Sequence, residues 1–194
     1  MQLGLGVRGY SFRFFKVFNN MFYFFAAILA FIFLLLITYA LGGWLAAPWV
    51  PTWQNDVKQM LQLAEIKPGE IVMDLGAGDA RIMTLAVKNY QAQAVGYEIA
   101  VLPYLLGWFR IILLGLAGRV QLKYGNFFKA DISQADVICI FLMPAVMIKI
   151  KNKIDQEAKP GCRILSYAFK ISDWEPKAIF KPKKNQIPIY LYQK

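Results

Sequence analysis

The chain has no histidine, which excludes several kinds of catalytic site at once. Histidine-based triads, imidazole proton shuttles and histidine metal ligands are all impossible on this chain. Cysteine is nearly as scarce, because Cys139 and Cys162 are the only two and both lie in apolar, strand-like runs. Such thiols are typical of buried positions in a reducing compartment, so we predict neither a disulfide nor a metal site.

Charge is missing from a long stretch near the N-terminus. No Asp, Glu, Lys or Arg occurs in the 39 residues from Val17 to Asn55, and Met21–Leu41 is almost wholly apolar. About 20 such residues cross the hydrocarbon core of a membrane as a helix. Tryptophans suited to an interfacial aromatic belt follow at Trp44, Trp49 and Trp53. The sequence therefore predicts a membrane anchor over residues 21–50, after a basic flank over residues 1–20.

Two alternatives to a crossing anchor are open. A re-entrant hairpin that turns at Gly42 and Gly43 would enter the membrane without crossing it. A cleaved signal peptide is the other alternative, although Ala46-Ala47-Pro48 is a poor cleavage site because of its proline.

A glycine-rich turn follows the first apolar strand of the remaining chain. The predicted first strand, Glu70–Leu75, contains Asp74 and leads into Gly76 and Gly78. Glu98 lies 24 residues after Asp74, at the end of a second strand-like run. Glycine lets the backbone adopt positive φ and approach a ligand closely, and the next helix offers free N–H groups. A carboxylate at the end of the second strand accepts both hydroxyls of a ribose. The pattern predicts a site for a nucleotide-like cofactor.

Two residues after this turn favour S-adenosyl-L-methionine over a dinucleotide. A dinucleotide fingerprint has Gly or Ala at the sixth position of its motif, where this chain has Arg81. Asp79 adds a carboxylate, which would repel a pyrophosphate but attract the α-ammonium of S-adenosylmethionine. The alternative for Asp79 is a cap at the start of a helix over Arg81–Asn89.

Helical and strand-like segments alternate through the rest of the chain. A helix over residues 55–64 is expected to cover the edge of a sheet, and the uniformly apolar residues 135–142 are typical of a central strand. The repeated βα units predict an α/β domain over residues 55–194, with a Rossmann-like, doubly wound parallel sheet. Two short strand-like segments near Ala178–Phe180 and Ile187–Tyr192 predict an antiparallel C-terminal edge.

These motifs resemble those of the seven-stranded (class I) S-adenosylmethionine-dependent methyltransferases. The matching segments are Asp74-Leu75-Gly76-Ala77-Gly78, Gly96-Tyr97-Glu98, Gly125-Asn126-Phe127 and Ala135-Asp136-Val137-Ile138. Three further features are similar to one subgroup, the small membrane-anchored protein-lysine methyltransferases of the ATP synthase c-subunit and the adenine nucleotide translocase. These features are the N-terminal membrane segment, Phe141-Leu142-Met143-Pro144 and Trp174-Glu175-Pro176.

The resemblance implies which residues bind the cofactor. The methionine and ribose part would be held by Asp74, Gly76, Gly78 and Asp79, the ribose hydroxyls by Glu98, and the adenine by Asn126 and Phe127. Asn126 departs from the aspartate that is usual in the family, and its amide NH2 needs a further partner. For Phe127 the alternative is an ordinary core position.

The resemblance also implies an acceptor channel at the exit of the fourth strand. Phe141, Met143 and Pro144 would line this channel, and Asp173 with Trp174 would close it. The alternative for Met143 and Pro144 is a turn followed by a helix start. Methyl transfer needs a neutral nucleophile aligned in a dry pocket, whereas a general base is optional.

One further segment is too apolar for an ordinary surface helix. Leu102–Leu116 has helical length but a single charged residue, Arg110. Contact with the bilayer or with a membrane-embedded substrate helix is one explanation, and burial in the core, in a dimer or as a second membrane span is the other. We prefer membrane or partner contact, because a second span would interrupt the βαβ unit.

Two observations disagree about the side of the membrane on which the domain lies. The flank before the span carries Arg8, Arg13 and Lys16 without an acid, and the positive-inside rule would place it in the cytoplasm and export the domain. S-adenosylmethionine is made inside cells, however, and the domain carries 19 basic and 12 acidic residues, which also favours the inside. We expect the domain to face the cytoplasm.

The sequence as a whole predicts a membrane-anchored enzyme that methylates a lysine of a small membrane protein. Its formal net charge of +10 is expected to contact anionic lipid headgroups in preference to nucleic acid. One alternative is methylation of a lipid-soluble small molecule, a quinone or a phospholipid. Another is a non-catalytic membrane module that binds a nucleotide.

Overall fold

The apolar N-terminal segment is one long helix in the computed structural model, which describes residues 6–45, 50–181, 183 and 186–194. Helix α1 runs over Gly6–Leu45. Its segment Lys16–Ile37 is long and apolar enough to cross a membrane, and its large apolar side chains are exposed. The helix continues through Gly42 and Gly43, so the hairpin predicted to turn there is wrong. Residues 46–49, with Trp49 and the cleavage-like Ala46–Pro48, lie outside the described part.

The chain forms two units, Met1–Ile37 and Thr38–Lys194. The second unit alternates helices and strands, as the βα pattern predicts. Its elements in chain order are α2 (Gln54–Leu63), β1 (Ile71–Leu75), α3 (Arg81–Tyr90), β2 (Gln93–Glu98), α4 (Val101–Leu113), β3 (Val120–Tyr124), β4 (Val137–Ile140), α5 (Pro144–Glu157), β5 (Arg163–Tyr167), β6 (Ala178–Phe180) and β7 (Ile189–Gln193).

The seven strands form one sheet in the order β3-β2-β1-β4-β5-β7-β6. Neighbouring strands from β3 to β5 are parallel, and β7 is antiparallel to both β5 and β6. The predicted Rossmann-like, seven-stranded sheet is therefore confirmed. Its antiparallel strand lies one position inside the edge, because β7 inserts between β5 and β6.

Helices cover both faces of the sheet. On one face α2 and α3 pack over Val72 and Val137, and on the other face α5 packs over Met73 and Ile138. The prediction that the helix near residues 55–64 covers the sheet edge is wrong, because Val57, Met60 and Leu61 of α2 are buried with residues of the central strands. An apolar stripe of a helix buries more surface on a broad sheet face than along one edge strand.

Helix α4 is the exception among the helices of the second unit. Its buried residues are Pro103, Gly107 and Ile111, and Ile111 packs with Ala94 and Val120 on the α3 side of the sheet. Most other large apolar side chains of α4 are exposed, among them Trp108, Phe109 and Leu113. Core burial, offered above as one explanation for this apolar segment, therefore holds for one side of the helix only. A second membrane span is also excluded, because 13 residues make a helix of about 20 Å, against a hydrocarbon core of about 30 Å.

The chain changes direction across the sheet between β1 and β4. From β3 at one edge it returns past β2 and β1 to β4, through a segment whose only helical element is a 3-10 turn at Phe127–Lys129. At such a switch point the loops after neighbouring parallel strands diverge and leave a crevice at their carboxyl ends. The predicted cofactor-binding residues lie at the carboxyl ends of β1 and β2 and in the loops after β1 and β3, and the predicted acceptor residues follow β4.

Candidate functional site

The loop after β1 has the conformation that its glycines predict. Gly76 and Gly78 have φ of +96° and +54°, which disfavour other residues. The N–H groups of Gly76 and Ala77 both donate to the carbonyl of Tyr97 on β2, at 3.0 and 2.9 Å. The turn lies at the carboxyl end of β1, where Gly76 is exposed and Ala77 and Gly78 are buried. Leu142, which sequence reasoning did not assign to the site, lies over it, 3.5 Å from where a Cβ of Gly76 would stand.

Glu98 is attached to this loop by its side chain. Its Oε2 accepts a hydrogen bond from the N–H of Gly78 at 2.8 Å, and its Oε1 accepts one from the N–H of Ala100 at 2.7 Å. Burial raises the pKa of Glu98, and the backbone N–H groups of Ala100, Gly78 and Ile99 lower it in part. Each carboxylate oxygen keeps a further lone pair. Glu98 is therefore held in one orientation with acceptor capacity left for hydroxyl groups.

Asp74 is the least satisfied polar side chain of the site. It is fully buried in β1, in register with Gly96 on one side and Cys139 on the other. Its Oδ2 is buried without a hydrogen-bond partner. Burial, together with the negative charges of Glu98 and Asp79, raises its pKa to about 8. A cationic or hydrogen-bond-donating ligand would supply what this carboxyl lacks.

Asp79 is paired within the protein. Its Oδ1 accepts from Nε of Arg81 at 2.8 Å, and its Oδ2 accepts from the guanidinium groups of Arg81 and Arg110, at 2.6 and 2.7 Å. Ala80, with φ of +58°, is the N-cap residue of α3 and has no side-chain cap. The alternative that Asp79 caps this helix is therefore wrong. Its carboxylate links the loop after β1 to α3 and α4.

The structure adds two residues of α4 that the sequence did not indicate for this site. Arg110 reaches Asp79, and Gly107 lies so close to the loop that a Cβ there would be 3.1 Å from the Gly78 carbonyl oxygen and from the Asp79 carbonyl carbon. Arg81 also donates to the backbone carbonyl of Thr52, before α2. Arg110 was noticeable as the one charge in an apolar helix, but nothing local to it names Asp79 as its partner.

Asn126 and Phe127 lie after β3, beside the end of β2. The N–H of Gly125 donates to the carbonyl of Glu98 at 2.9 Å. The side-chain oxygen of Asn126 accepts from the N–H of Phe128 at 2.9 Å and caps the 3-10 turn. Phe127 is buried in the core, with its ring 4.6 Å from that of Phe128. Phe127 therefore occupies a core position, the alternative given for it above. Contact of Asn126 and Phe127 with an adenine stays a prediction.

The predicted acceptor residues follow β4 and begin α5. Phe141 is half-buried, with its ring edge-on to that of Tyr167 at 4.8 Å, and the Tyr167 hydroxyl donates to Asp56 of α2. Met143 is exposed and is the N-cap of α5, its carbonyl accepting from Val146, and Pro144 is the first helical residue. These two positions form the predicted turn and helix start. A role in an acceptor channel stays a prediction for all three residues.

Asp173 and Trp174 occupy the loop between β5 and β6. Asp173 is exposed with φ of +56°. Trp174 packs 5.3 Å from the ring of Tyr192, and the ammonium of Lys151 lies 5.8 Å from the Trp174 ring. Trp174 therefore belongs to the core on the α5 side of the sheet. Closure of an acceptor channel by this pair stays a prediction.

The two cysteines are buried and free, as the sequence predicts. Burial and the nearby Asp74 raise the pKa of Cys139 well above its usual value, and burial raises that of Cys162 to about 11. Both thiols are protonated at neutral pH, so neither is an activated nucleophile.

The chain matches a family model and several characterised relatives. Residues 74–178 match the model of the ANTKMT methyltransferase domain. A protein-lysine N-methyltransferase of Saccharolobus islandicus is 38% identical over 148 residues, which are 75% of this chain and 92% of the relative. A lysine N-methyltransferase of the ATP synthase c-subunit from Xenopus laevis is 31% identical over 138 residues, and an adenine nucleotide translocase lysine N-methyltransferase of Mus musculus 30% identical over 137 residues. Each match covers 70% of this chain, and the chain spans only 59% and 58% of those two vertebrate proteins.

Solved structures show the same fold. An RNA methyltransferase of Salinibacter ruber in complex with S-adenosyl-L-homocysteine superposes with a TM-score of 0.71 at 30% identity, over 74% of this chain and 93% of that protein. A SAM-dependent methyltransferase of Thiobacillus denitrificans, also with S-adenosyl-L-homocysteine, superposes with a TM-score of 0.55 at 18% identity, over 70% and 53%. At that identity the second likeness concerns the fold alone.

Proposed function

This chain belongs to the ANTKMT methyltransferase family, and from that premise we propose that it methylates a lysine side chain of a membrane protein. S-adenosylmethionine is the cofactor. It supplies an electrophilic methyl group on a positively charged sulfur. The observation that carries a lysine acceptor is the 38% identity to the protein-lysine N-methyltransferase of Saccharolobus islandicus. The buried, unpartnered Oδ2 of Asp74 beside a glycine turn and a fixed Glu98 supports the cofactor site.

The chain's acidic residues fit the charges of this cofactor. Asp74 would accept hydrogen bonds from the methionine ammonium, because its Oδ2 lacks a partner and its raised pKa reflects uncompensated negative charge nearby. Glu98 would accept from the ribose hydroxyls with the lone pairs that Gly78 and Ala100 leave free. Asn126 and Phe127 would border the adenine, after β3.

Asp79 has a different role in this proposal from the one its position in the motif suggests. Two guanidinium groups neutralise its carboxylate, so it is no longer a free negative charge for an ammonium. We infer that Asp79 positions the cofactor loop, because it holds the segment between Gly78 and α3 against α4. A pyrophosphate would still be disfavoured there, since Arg81 occupies the place where a dinucleotide motif has a small residue.

The transfer step needs alignment and a neutral amine. Lysine has a reference pKa of about 10.4 and is protonated at neutral pH, so the site must remove the ammonium from water to favour the neutral form. Phe141, with its ring on Tyr167, offers an apolar wall after β4 that suits this task. With the cofactor bound, the neutral amine would displace the methyl carbon in line with its bond to sulfur. That bond would break with its electron pair kept by sulfur, S-adenosylhomocysteine would leave, and the methylated nitrogen would then lose a proton to solvent.

A membrane protein as substrate is supported by two observations. Three relatives are named for their substrates, the ATP synthase c-subunit and the adenine nucleotide translocase, and these names support a membrane protein as the acceptor. Helix α1 of this chain carries an apolar segment long enough to cross a bilayer. We propose that this segment anchors the enzyme with its catalytic unit on the cytoplasmic side, where S-adenosylmethionine is made.

The proposal is tested by comparing membranes from cells with and without this chain. Membrane proteins are digested and their methylated lysines quantified by mass spectrometry, after complementation with the wild type or with Glu98→Gln. Wild type is expected to restore a lysine methylation that Glu98→Gln restores poorly. Methyl groups lost from extracted quinones or phospholipids, and not from protein, would contradict the proposal.

RNA is the second acceptor class to be tested, since the Salinibacter ruber relative is an RNA methyltransferase and this chain has a net charge of +10. The same cells supply total RNA, whose modified nucleosides are measured in parallel. A nucleoside methylation that follows the wild type, with lysine methylation unchanged, would replace the proposed substrate by RNA.

A further inference from the structure

The outward side of α4 is apolar over its whole length. Seven large side chains are each 41–69% exposed, and we call them the α4 outer face: Leu102, Leu105, Leu106, Trp108, Phe109, Ile112 and Leu113. Leu114, just after the helix, is 41% exposed as well. A contiguous exposed surface of this kind marks an interaction site in a protein that folds alone.

The charge around this face has one sign. Residues 99–130 contain no acidic residue, whereas four basic residues occur there, Arg110, Arg119, Lys123 and Lys129. Arg119 is exposed beyond the C-terminal end of α4, and its N–H donates to the carbonyl of Leu116. Arg110 points back to Asp79 and leaves the outer face without a charge of its own. An apolar helix carried by a segment with basic and no acidic residues is complementary to an anionic lipid surface.

Aromatic residues lie where a bilayer interface would place them. Trp108 and Phe109 belong to the α4 outer face, and Tyr104 contacts the exposed Tyr124 of β3 edge-on at 5.4 Å. Amphipathic rings are enriched at the headgroup level of membranes. A protein partner would instead be expected to meet some polar residues in the patch for hydrogen bonding.

We propose that the α4 outer face rests on an anionic lipid bilayer, independently of α1. Helix α4 also touches the cofactor loop, because Gly107 lies against Gly78 and Arg110 pairs with Asp79. Seating α4 therefore brings the cofactor-binding loop near the membrane surface.

The test is a depth measurement on the full-length chain in vesicles. A nitroxide spin label is attached to Phe109→Cys or, as a second position, to Leu113→Cys, since the native Cys139 and Cys162 are buried and protonated. Vesicles contain phosphatidylcholine with or without phosphatidylglycerol. Collisions of the label with oxygen, which concentrates in hydrocarbon, are compared with collisions with a water-soluble nickel chelate.

A matched control is Ile148→Cys on α5. Ile148 is an exposed apolar residue, 60% accessible, on the helix that packs against the opposite face of the sheet. With phosphatidylglycerol present, the oxygen-to-nickel collision ratio at positions 109 and 113 is expected to rise several-fold over that at 148. A much smaller rise is expected in pure phosphatidylcholine.

Three results would overturn the inference. Equal ratios at 109, 113 and 148 in both vesicle types would show that the face stays in water. Shielding at 109 with dipolar broadening between labels would identify a second copy of the chain as the occupant. An equal rise in pure phosphatidylcholine would remove the role of anionic headgroups. None of these readouts depends on methyl transfer, so the inference and the proposed function can fail separately.

Discussion

At the scale of single residues, Asp74 combines burial, an unpaired oxygen and two acidic neighbours. Such a group is unfavourable in the free protein, because a buried carboxylate without a partner loses its hydration and gains nothing in return. Its pKa of about 8 is the physical expression of that cost. A ligand that brings a positive charge to Oδ2 would offset this cost. Asp74 would therefore destabilise the cofactor-free protein and also contribute to cofactor binding.

Asp74→Asn is expected to weaken S-adenosylmethionine binding about tenfold to hundredfold, since a hydrogen bond to a charged group contributes about 1.5–3 kcal/mol. In the wild type, affinity should rise as pH increases toward about 8, because only the ionised Asp74 attracts the ammonium. Titration calorimetry over a pH series measures both effects. A variant that keeps the full pH dependence would contradict the assignment of Asp74.

The same group makes the stability of the cofactor-free protein depend on pH. The folded pKa of about 8 exceeds the ordinary value of 3.8, so the folded state binds the proton more tightly. The free energy of unfolding should therefore fall as pH rises between those two values. In urea denaturation, Asp74→Asn should remove most of this dependence of the free energy of unfolding on pH. A smaller dependence should remain from Glu98, whose pKa is also raised. Identical slopes in both proteins would exclude Asp74 as the source.

Asp79 offers a contrasting acid, buried but fully paired. Asp79→Asn is expected to lower the free energy of unfolding by about 2–3 kcal/mol, because two guanidinium groups lose a largely buried counter-ion. Asp155→Asn is the matched control, since Asp155 pairs with Lys151 on the surface and such pairs contribute about 0–1 kcal/mol. Urea denaturation compares the two, and equal losses would contradict a structural role for Asp79.

At the scale of elements, the contact between α4 and the loop after β1 decides how the cofactor turn is held. Gly107 is the residue of α4 that permits this contact, because a Cβ there would stand 2.8 Å from Leu122 and 3.1 Å from backbone atoms of Gly78 and Asp79. The backbone atoms of a turn with two positive φ angles have little room to move. A side chain at position 107 must therefore push the helix or the loop.

Gly107→Ala is expected to cost about 1–3 kcal/mol of unfolding free energy, the usual range for overpacking, and to weaken cofactor binding as the loop shifts. Gly118→Ala is the control, since nothing lies within 4 Å of a Cβ at that position. Thermal unfolding and titration calorimetry of the two variants give the comparison. Unchanged cofactor affinity in a destabilised Gly107→Ala would mean that α4 supports the fold without positioning the loop.

Element boundaries and neighbours were not equally predictable. The short strand Ala178–Phe180 has its predicted bounds, because a short apolar run with prolines close by on both sides is a local signal. The place of α2 on the sheet face was mispredicted. An apolar stripe such as Val57, Met60 and Leu61 predicts that one side of a helix is buried. It does not identify the element against which that side packs.

At the scale of the whole molecule, the chain joins an apolar helix to a unit with its own core. The helix and the second unit differ in how they remove apolar side chains from water. Lys16–Ile37 exposes apolar side chains on every side, which suits a lipid environment. The described part of the second unit buries apolar side chains in the sheet clusters and exposes a continuous set of them on the α4 outer face. Membrane attachment through α1 and through the α4 outer face should therefore differ in strength.

The full chain is expected to resist extraction of membranes with alkaline carbonate, which releases peripheral proteins. A shortened chain that begins at Thr38 should be released, because the α4 outer face provides only an interfacial contact. Immunoblotting of pellet and supernatant distinguishes the two. Release of the full chain would contradict anchoring by α1, and protease digestion of a C-terminal tag in intact cells tests the cytoplasmic side.

The amino-acid sequence by itself determined the α/β class, the glycine turn, the spacing from Asp74 to Glu98 and the apolar helix, because each depends on residues close in the chain or on a regular period. Tertiary structure alone decided that Asp79 is neutralised by Arg110, 31 positions away, that Phe127 is buried, and that α4 presents its apolar side outward. Those outcomes follow from which elements pack together. Burial and ion pairing between distant segments are properties of the assembled fold.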